Sequence, residues 1–262
     1  MRRYLALAIL VSLALLMATQ LPVFAQSPRD AEAMFAANQL YESGRFAASA
    51  QAYQQLVDRG YRDSALYYNL GNAHYKQGDL GRAVLSYLRA ERLDPRDADI
   101  QANLEVARGQ TIDVFDTADD ATLASLARAA QSWLTLNEVA AITLGLWFLL
   151  AALLIALSLS RSERFRGEVR YAAIVAALLM VIGVVSLGTQ MYGESARLQE
   201  AVIVAESVDV VSGPGPQYVT EFTLHGGTEA SLIERRGNWA RLALPGGQLQ
   251  GWVPVSAVEE VG

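Results

Sequence analysis

The sequence predicts a multi-domain membrane protein in three parts: an all-α helical repeat array, two transmembrane helices and a small C-terminal all-β barrel. Three observations predict it. Residues recur at an interval of 34 between about positions 29 and 110. Two blocks, residues 139–160 and 171–192, each run 22 residues without a charge. From about residue 196 to 262 the apolar pattern changes to period two, broken by glycine-rich turns. Composition sets the outer limits. The 262 residues are 52% apolar and 18% charged with a formal charge of −6, which fits neither a disordered polyanion nor a basic nucleic-acid binder. With no cysteine, disulfide scaffolds and cysteine-ligated zinc or iron–sulfur centres are excluded.

The chain begins with Arg2 and Arg3, an uncharged stretch over residues 5–17, Pro22, and the triplet Val23, Phe24, Ala25. That is the charged start, apolar middle and small-residue exit of a signal peptide covering residues 1–25. An uncleaved anchor is the alternative, because residues 5–25 could just reach across a bilayer. Each charge-free block, rising about 1.5 Å per residue, is long enough to cross roughly 30 Å of hydrocarbon. Between them RSERFRGEVR, residues 161–170, sets Arg161, Arg164, Arg166 and Arg170 against Glu163 and Glu168, the excess that holds a short loop in the cytoplasm. A chain exported at its start must come in through the first block and leave through the second. Both soluble parts are therefore expected outside the cytoplasmic (inner) membrane. Ala141 with Gly145, Ala172 with Ala176 and Ala173 with Ala177 place small side chains on shared helix faces, as a packing surface or as ordinary composition. Neither block holds an acid, base or histidine, which suits anchors rather than a transport path.

In the repeat region, residues 29–110, Asn38 and Asn72, Tyr41 and Tyr75, Gly44 and Gly78, and Tyr53 and Tyr87 all lie 34 apart. Residues 67–95, YYNLGNAHYKQGDLGRAVLSYLRAERLDP, resemble the consensus of the tetratricopeptide repeat. The spacing supports this: Tyr67, Leu70, Gly71 and His74 share one helix face, Gly78 and Asp79 make a turn, and Ala83, Tyr87 and Ala90 face back from a second helix. Small residues at 71, 83 and 90 admit close approach, and Pro95 ends the unit. The first repeat is degenerate but in register, with Ala37, Ser49 and Tyr61 standing where Gly71, Ala83 and Pro95 do. A third start at Ala98 has no second helix and reads as a terminal cap. So short an array buries too little on its own neighbours and is expected to be completed by a partner.

In such repeats the first helices line a concave surface. By register it should carry Asn38, Tyr41, Tyr68, Asn72, Tyr75 and Lys76. Asparagine can donate to and accept from a peptide backbone, while tyrosine adds broad apolar contact and a hydroxyl, so the surface suits a protein or peptide ligand. The competing reading makes the tyrosines repeat core. Lys76 is the sole cation of the set, which disfavours a groove gripping terminal carboxylates through several basic residues.

Residues 111–138 read as an acidic linker followed by a helix. Leu123, Leu126, Ala127, Ala130 and Leu134 share its apolar face, Asp119 can cap it and Trp133 would sit near headgroup level. It either lies in the interface or simply connects. In the last part, five short strands are expected, separated at residues 213–216, 226–227, 236–238 and 245–247. The order SGPG, GNWARL, GWVP resembles the bacterial SH3-like domain. Val211 stands where that family commonly has arginine before SGP, so no ligand role of that arginine carries over. Trp239 and Trp252 are the candidate contacts, as groove residues or as sheet packing.

A catalytic role finds no support in the sequence. His74 takes a packed helix position and His225 precedes a Gly226-Gly227 turn. HExxH, GxSxG, phosphate-loop and aspartate-rich metal motifs are all missing, so no cofactor is expected. The full arrangement of signal peptide, short repeat array, DADIQANLEVAR cap, WLTLNE leading into LGLWFLL, membrane hairpin and terminal SH3-like domain resembles the Bat-type aerotolerance proteins of the BatE group. That resemblance implies action beside membrane-anchored von Willebrand factor A proteins and a MoxR-type ATPase, in stress tolerance or envelope maintenance. The expectation is a non-catalytic, extracytoplasmic protein–protein interaction adaptor. The alternative is a cell-wall module whose terminal domain grips peptidoglycan and positions an envelope enzyme.

Overall fold

The protein is seen in a computed structural model describing residues 28–113, 115, 135–160, 162–197, 199–246 and 249–262. The expected signal peptide, residues 1–25, and the apolar face at Leu123, Leu126, Ala127, Ala130 and Leu134 lie outside the described residues. The chain divides into two compact units: one holds two long apolar helices, the other joins the repeat array to the C-terminal sheet.

The repeat region consists of α1 (Pro28–Glu42), α2 (Phe46–Asp58), α3 (Ser64–Gln77), α4 (Leu80–Leu93) and α5 (Ala98–Arg108). Aspartates start the later helices. Asp63 accepts from the amides of Ala65 and Leu66, Asp79 from Arg82, and Asp97 from Asp99 and Ile100. Gly44 and Gly78 break the pairs at φ +75° and +79°, a left-handed conformation that favours glycine. Inside, Tyr53 and Tyr87 are almost wholly buried, and Ala83 and Ala90 are fully so. A Cβ on Gly71 would come 2.7 Å from the Tyr87 ring, which is why the second repeat needs glycine there. One apolar cluster runs through both repeats from Ala37 to Ile100.

The C-terminal part is a seven-stranded antiparallel sheet: β1 (Glu200–Ile203), β2 (Ser207–Val211), β3 (Thr220–His225), β4 (Glu229–Arg236), β5 (Trp239–Ala243), β6 (Gln250–Pro254) and β7 (Val258–Glu260). Its order is β3-β2-β6-β5-β4-β1-β7. The sheet is not closed, so the expected barrel is corrected to an open sheet, and two strands, β1 and β7, are added to the five expected. The anticipated turns do separate β2 through β6. Its inner face holds Ile203, Val210, Leu224, Ala240, Leu242 and Val253, and Phe115 from before the long helices packs against this cluster.

The repeat array and the sheet share a core. Ala83, Val84, Leu85 and Leu88 of α4 and Leu104 and Ala107 of α5 cluster with Val202, Val204 and Val261. Three ion pairs that cross this seam each take the cation from a helix and the acid from the sheet. Arg92 meets Glu200 at 3.0 Å, Arg108 holds both oxygens of Glu229 at 2.5 and 2.8 Å, and Arg89 lies 3.6 Å from Glu259. Arg89 also donates to the carbonyls of Glu260 and Val261 at 2.7 and 3.1 Å, covering the end of edge strand β7 and the residue after it. At the far side, Asp113 accepts from the His225 amide at 2.7 Å and the Thr228 hydroxyl at 2.5 Å, with His225 Nδ1 at 3.0 Å. Burial alone would raise the Asp113 pKa. The hydrogen bonds from Thr228 and His225 outweigh it and hold the carboxyl below its usual range.

The other unit contains α6 (Leu136–Leu159) and α7 (Glu163–Arg197), both long and apolar enough to cross a membrane. Thr135 and Glu138 cap α6 reciprocally. Helix α7 starts at Glu163, so most of the arginine-bearing stretch is helical rather than loop. Val169, Ala173 and Ala176 are buried, and a Cβ on Gly183 would overlap the Thr143 hydroxyl. Ala141 and Ala172 are exposed, and a Cβ on Gly145 would meet nothing within 4 Å.

Helix and strand backbones meet closely at Gly81, where a Cβ would lie 2.6 Å from the Ile203 carbonyl oxygen and 2.9 Å from the Val204 Cα. The equivalent position of the first repeat, Ala47, is exposed and carries a side chain. On helix propensity Gly81→Ala would stabilise by up to about 1 kcal/mol. Here it is expected to destabilise by about 1–3 kcal/mol, because the backbones must separate. Thermal unfolding of the full chain checks the sign.

Candidate partner-binding groove

The concave surface forms where α1, α3 and α5 stand side by side. A groove of about 250 Å³ opens there, lined by Tyr41, Tyr68, Asn72, Tyr75, Lys76, Tyr87, Asn103 and Val106. Five of the six residues expected from the repeat register line it. The sixth, Asn38, is turned to internal bonding, its Oδ1 accepting from the Tyr53 hydroxyl at 2.6 Å and from Asn69 Nδ2 at 3.4 Å.

The same arrangement recurs one repeat later. Asn72 Oδ1 accepts from the Tyr87 hydroxyl at 2.7 Å and from Asn103 Nδ2 at 2.9 Å. Each first-helix asparagine is thus pinned by the tyrosine of its own second helix and by an asparagine of the next first helix. The acceptor oxygens of Asn38 and Asn72 are committed inside the array, so what these residues offer a ligand is their Nδ2 donors. This narrows the expectation that they both donate and accept. Burial pushes the Tyr87 pKa up, with Tyr68 and Tyr41 adding to it, so the phenol stays a donor at neutral pH.

Tyrosine supplies most of the apolar wall. Tyr41 meets Phe46 edge-on with centroids 5.2 Å apart, and Tyr68 lies 6.1 Å from Tyr87. Asn103 also donates to the Tyr68 hydroxyl at 3.0 Å, and Gln110 reaches the Tyr75 hydroxyl. Lys76 is exposed at the edge. The tyrosines therefore serve both readings at once: Tyr53 and Tyr87 are core, whereas Tyr41, Tyr68 and Tyr75 are half-buried and face a groove. Sequence reasoning missed Tyr87, Asn103 and Val106. The 34-residue register could have found the last two, since they answer to Asn69 and Asn72.

The tryptophans of the sheet share one face, because Trp239 and Arg241 alternate on β5 and Trp252 stands opposite Arg241. Trp252 is 6% exposed, its ring covered by the Arg236 guanidinium at 5.3 Å. Trp239 is half-buried. His74 packs between the two repeats, 3.9 Å from Asp79, and burial pushes its pKa down despite that carboxylate.

Among families of known proteins, the tetratricopeptide repeat family matches residues 36–98. No match to the chain was found among curated proteins. Repeats of this kind act as scaffolds that bind proteins or peptides, and the groove described above lies on that matched segment and the helix after it.

Asn72→Ala is expected to cost about 1–3 kcal/mol, because it leaves the buried Tyr87 hydroxyl without its acceptor. Lys76→Ala, at the exposed edge, is expected to change stability by less than about 0.5 kcal/mol. Urea unfolding followed by circular dichroism distinguishes the two, and equal costs would contradict the assignment of Asn72 to the frame.

Proposed function

We propose that the protein is a membrane-anchored adaptor, which receives a protein or peptide segment in its concave groove and holds it at the outer face of the cytoplasmic membrane. The groove itself carries the reading: α1 and α3 present tyrosine faces, α5 adds Asn103 and Val106, and amide donors and one edge lysine complete a single open channel. Anchoring through α6 and α7 confines the groove to a thin layer, which raises its effective concentration toward membrane partners.

The shared core of repeats and sheet supports the hairpin topology. Segments before and after the two long helices can pack together only if an even number of membrane crossings lies between them. The arginine excess of residues 161–170 supports a cytoplasmic elbow. The resemblance to Bat-type aerotolerance proteins supports stress tolerance or envelope maintenance as the setting, with von Willebrand factor A-type membrane proteins as the partner class.

Photo-reactive side chains placed at Tyr41 and Tyr75 of the full chain, activated in native membranes, are expected to capture a specific protein. The same group at exposed Ala65 is expected not to. Capture of lipid or of the chain alone from both groove positions would overturn the adaptor reading.

A further inference from the structure

The three walls of the groove are not equally supported. Helices α1 and α3 each have a second helix of their own repeat behind them. Helix α5 is half a repeat, packed on α4 and bordered by the sheet. Leu104 and Ala107 cluster with Val202, Val204 and Val261 as well as with α4. Arg108 makes a two-pronged contact with Glu229. Just past the helix, a Cβ on Gly227 would lie 2.6 Å from the Thr111 methyl, so this turn also rests on the sheet. An adjoining face of the same helix supplies Asn103 and Val106 to the groove, and Asn103 bridges to Asn72 and Tyr68 of α3. One short helix of 11 residues is therefore shared between two surfaces.

We propose that the C-terminal sheet is the built-in cap of the repeat array and that its docking controls partner binding in the groove. With the sheet seated, α5 is held against α3 and the third wall is complete. With the sheet released, α5 loses the Arg108–Glu229 contact and the apolar cover over Leu104 and Ala107, keeps its packing on α4 and the Asn103 bonds to α3, and becomes the least supported wall of the groove, so Asn103 and Val106 are held less firmly in place. The coupling is reciprocal by linkage: a ligand bridging α3 and α5 tightens the seating of the sheet by the same factor that seating tightens the ligand. The sheet then acts as a regulatory element, and anything that competes for the Glu200, Glu229 and Glu259 side of the seam weakens partner capture at a distance. This inference rests on the groove being the partner site.

The test uses full-length chain in native membranes with the photo-reactive side chain at Tyr75, and amide hydrogen exchange on the purified full chain. Arg108→Glu places like charges against Glu229. It is expected to speed exchange across α5 by about tenfold and to lower captured partner by a similar factor, while α1 and α2 keep their protection. Combining it with Glu229→Arg restores the pair in reverse and is expected to recover both readouts, which a merely misfolded variant would not do. Faster exchange in α5 with undiminished capture would overturn the coupling, as would unchanged exchange in α5. Failure of the unaltered chain to capture any protein would instead overturn the underlying groove reading, whatever the exchange pattern.

Discussion

Val202, Val204 and Val261 bury against α4 and α5, and almost every other feature of the repeat–sheet unit depends on that contact. A fully buried valine is worth about 1.5–3 kcal/mol of removed apolar surface, whereas rim ion pairs such as Arg92–Glu200 contribute about 0–1 kcal/mol each. The apolar seam therefore supplies the stability and the arginine–glutamate ring sets the register. Gly81 makes the seam possible by letting a helix backbone and a strand backbone meet without an intervening Cβ.

The seam also answers the problem posed by so short an array. Two repeats and a half leave one face of α4 and α5 bare, and the chain covers it with its own sheet instead of leaving it to another protein. The expectation that a partner completes the array is met from within. Clamping occurs on both flanks of the long helices: Asp113 and Phe115 fix the segment before them to the sheet, and β1 fixes the segment after them to α4. Repeats and sheet thus form one compact unit rather than two tethered modules.

The parts legible in the sequence were those with a simple period. The 34-residue interval located all five helices of the array and most of the groove, and the glycine turns located β2 through β6. Strand β1 was missed because it does not alternate. Ala201, Val202 and Ile203 are all buried, one face against the sheet core and the other against α4, so the run looks like neither an exposed strand nor a helix. Strand β7 is three residues long and leaves no periodic trace. In the groove, Asn103 was passed over because the cap was weighed as a terminus rather than as a third wall. The ionic pairs across the seam, such as Arg108 with Glu229, join residues 121 apart, a relation no local pattern can display.

Because the chain has no cysteine, a single engineered pair probes the seam without background. Arg108→Cys with Glu229→Cys, treated with a short bifunctional maleimide in native membranes, is predicted to crosslink within the chain, at a yield that collapses when Val202→Asp disrupts the apolar contact. Absence of the crosslink, with both cysteines accessible to a monofunctional maleimide, would show that repeats and sheet do not share a core in the native protein.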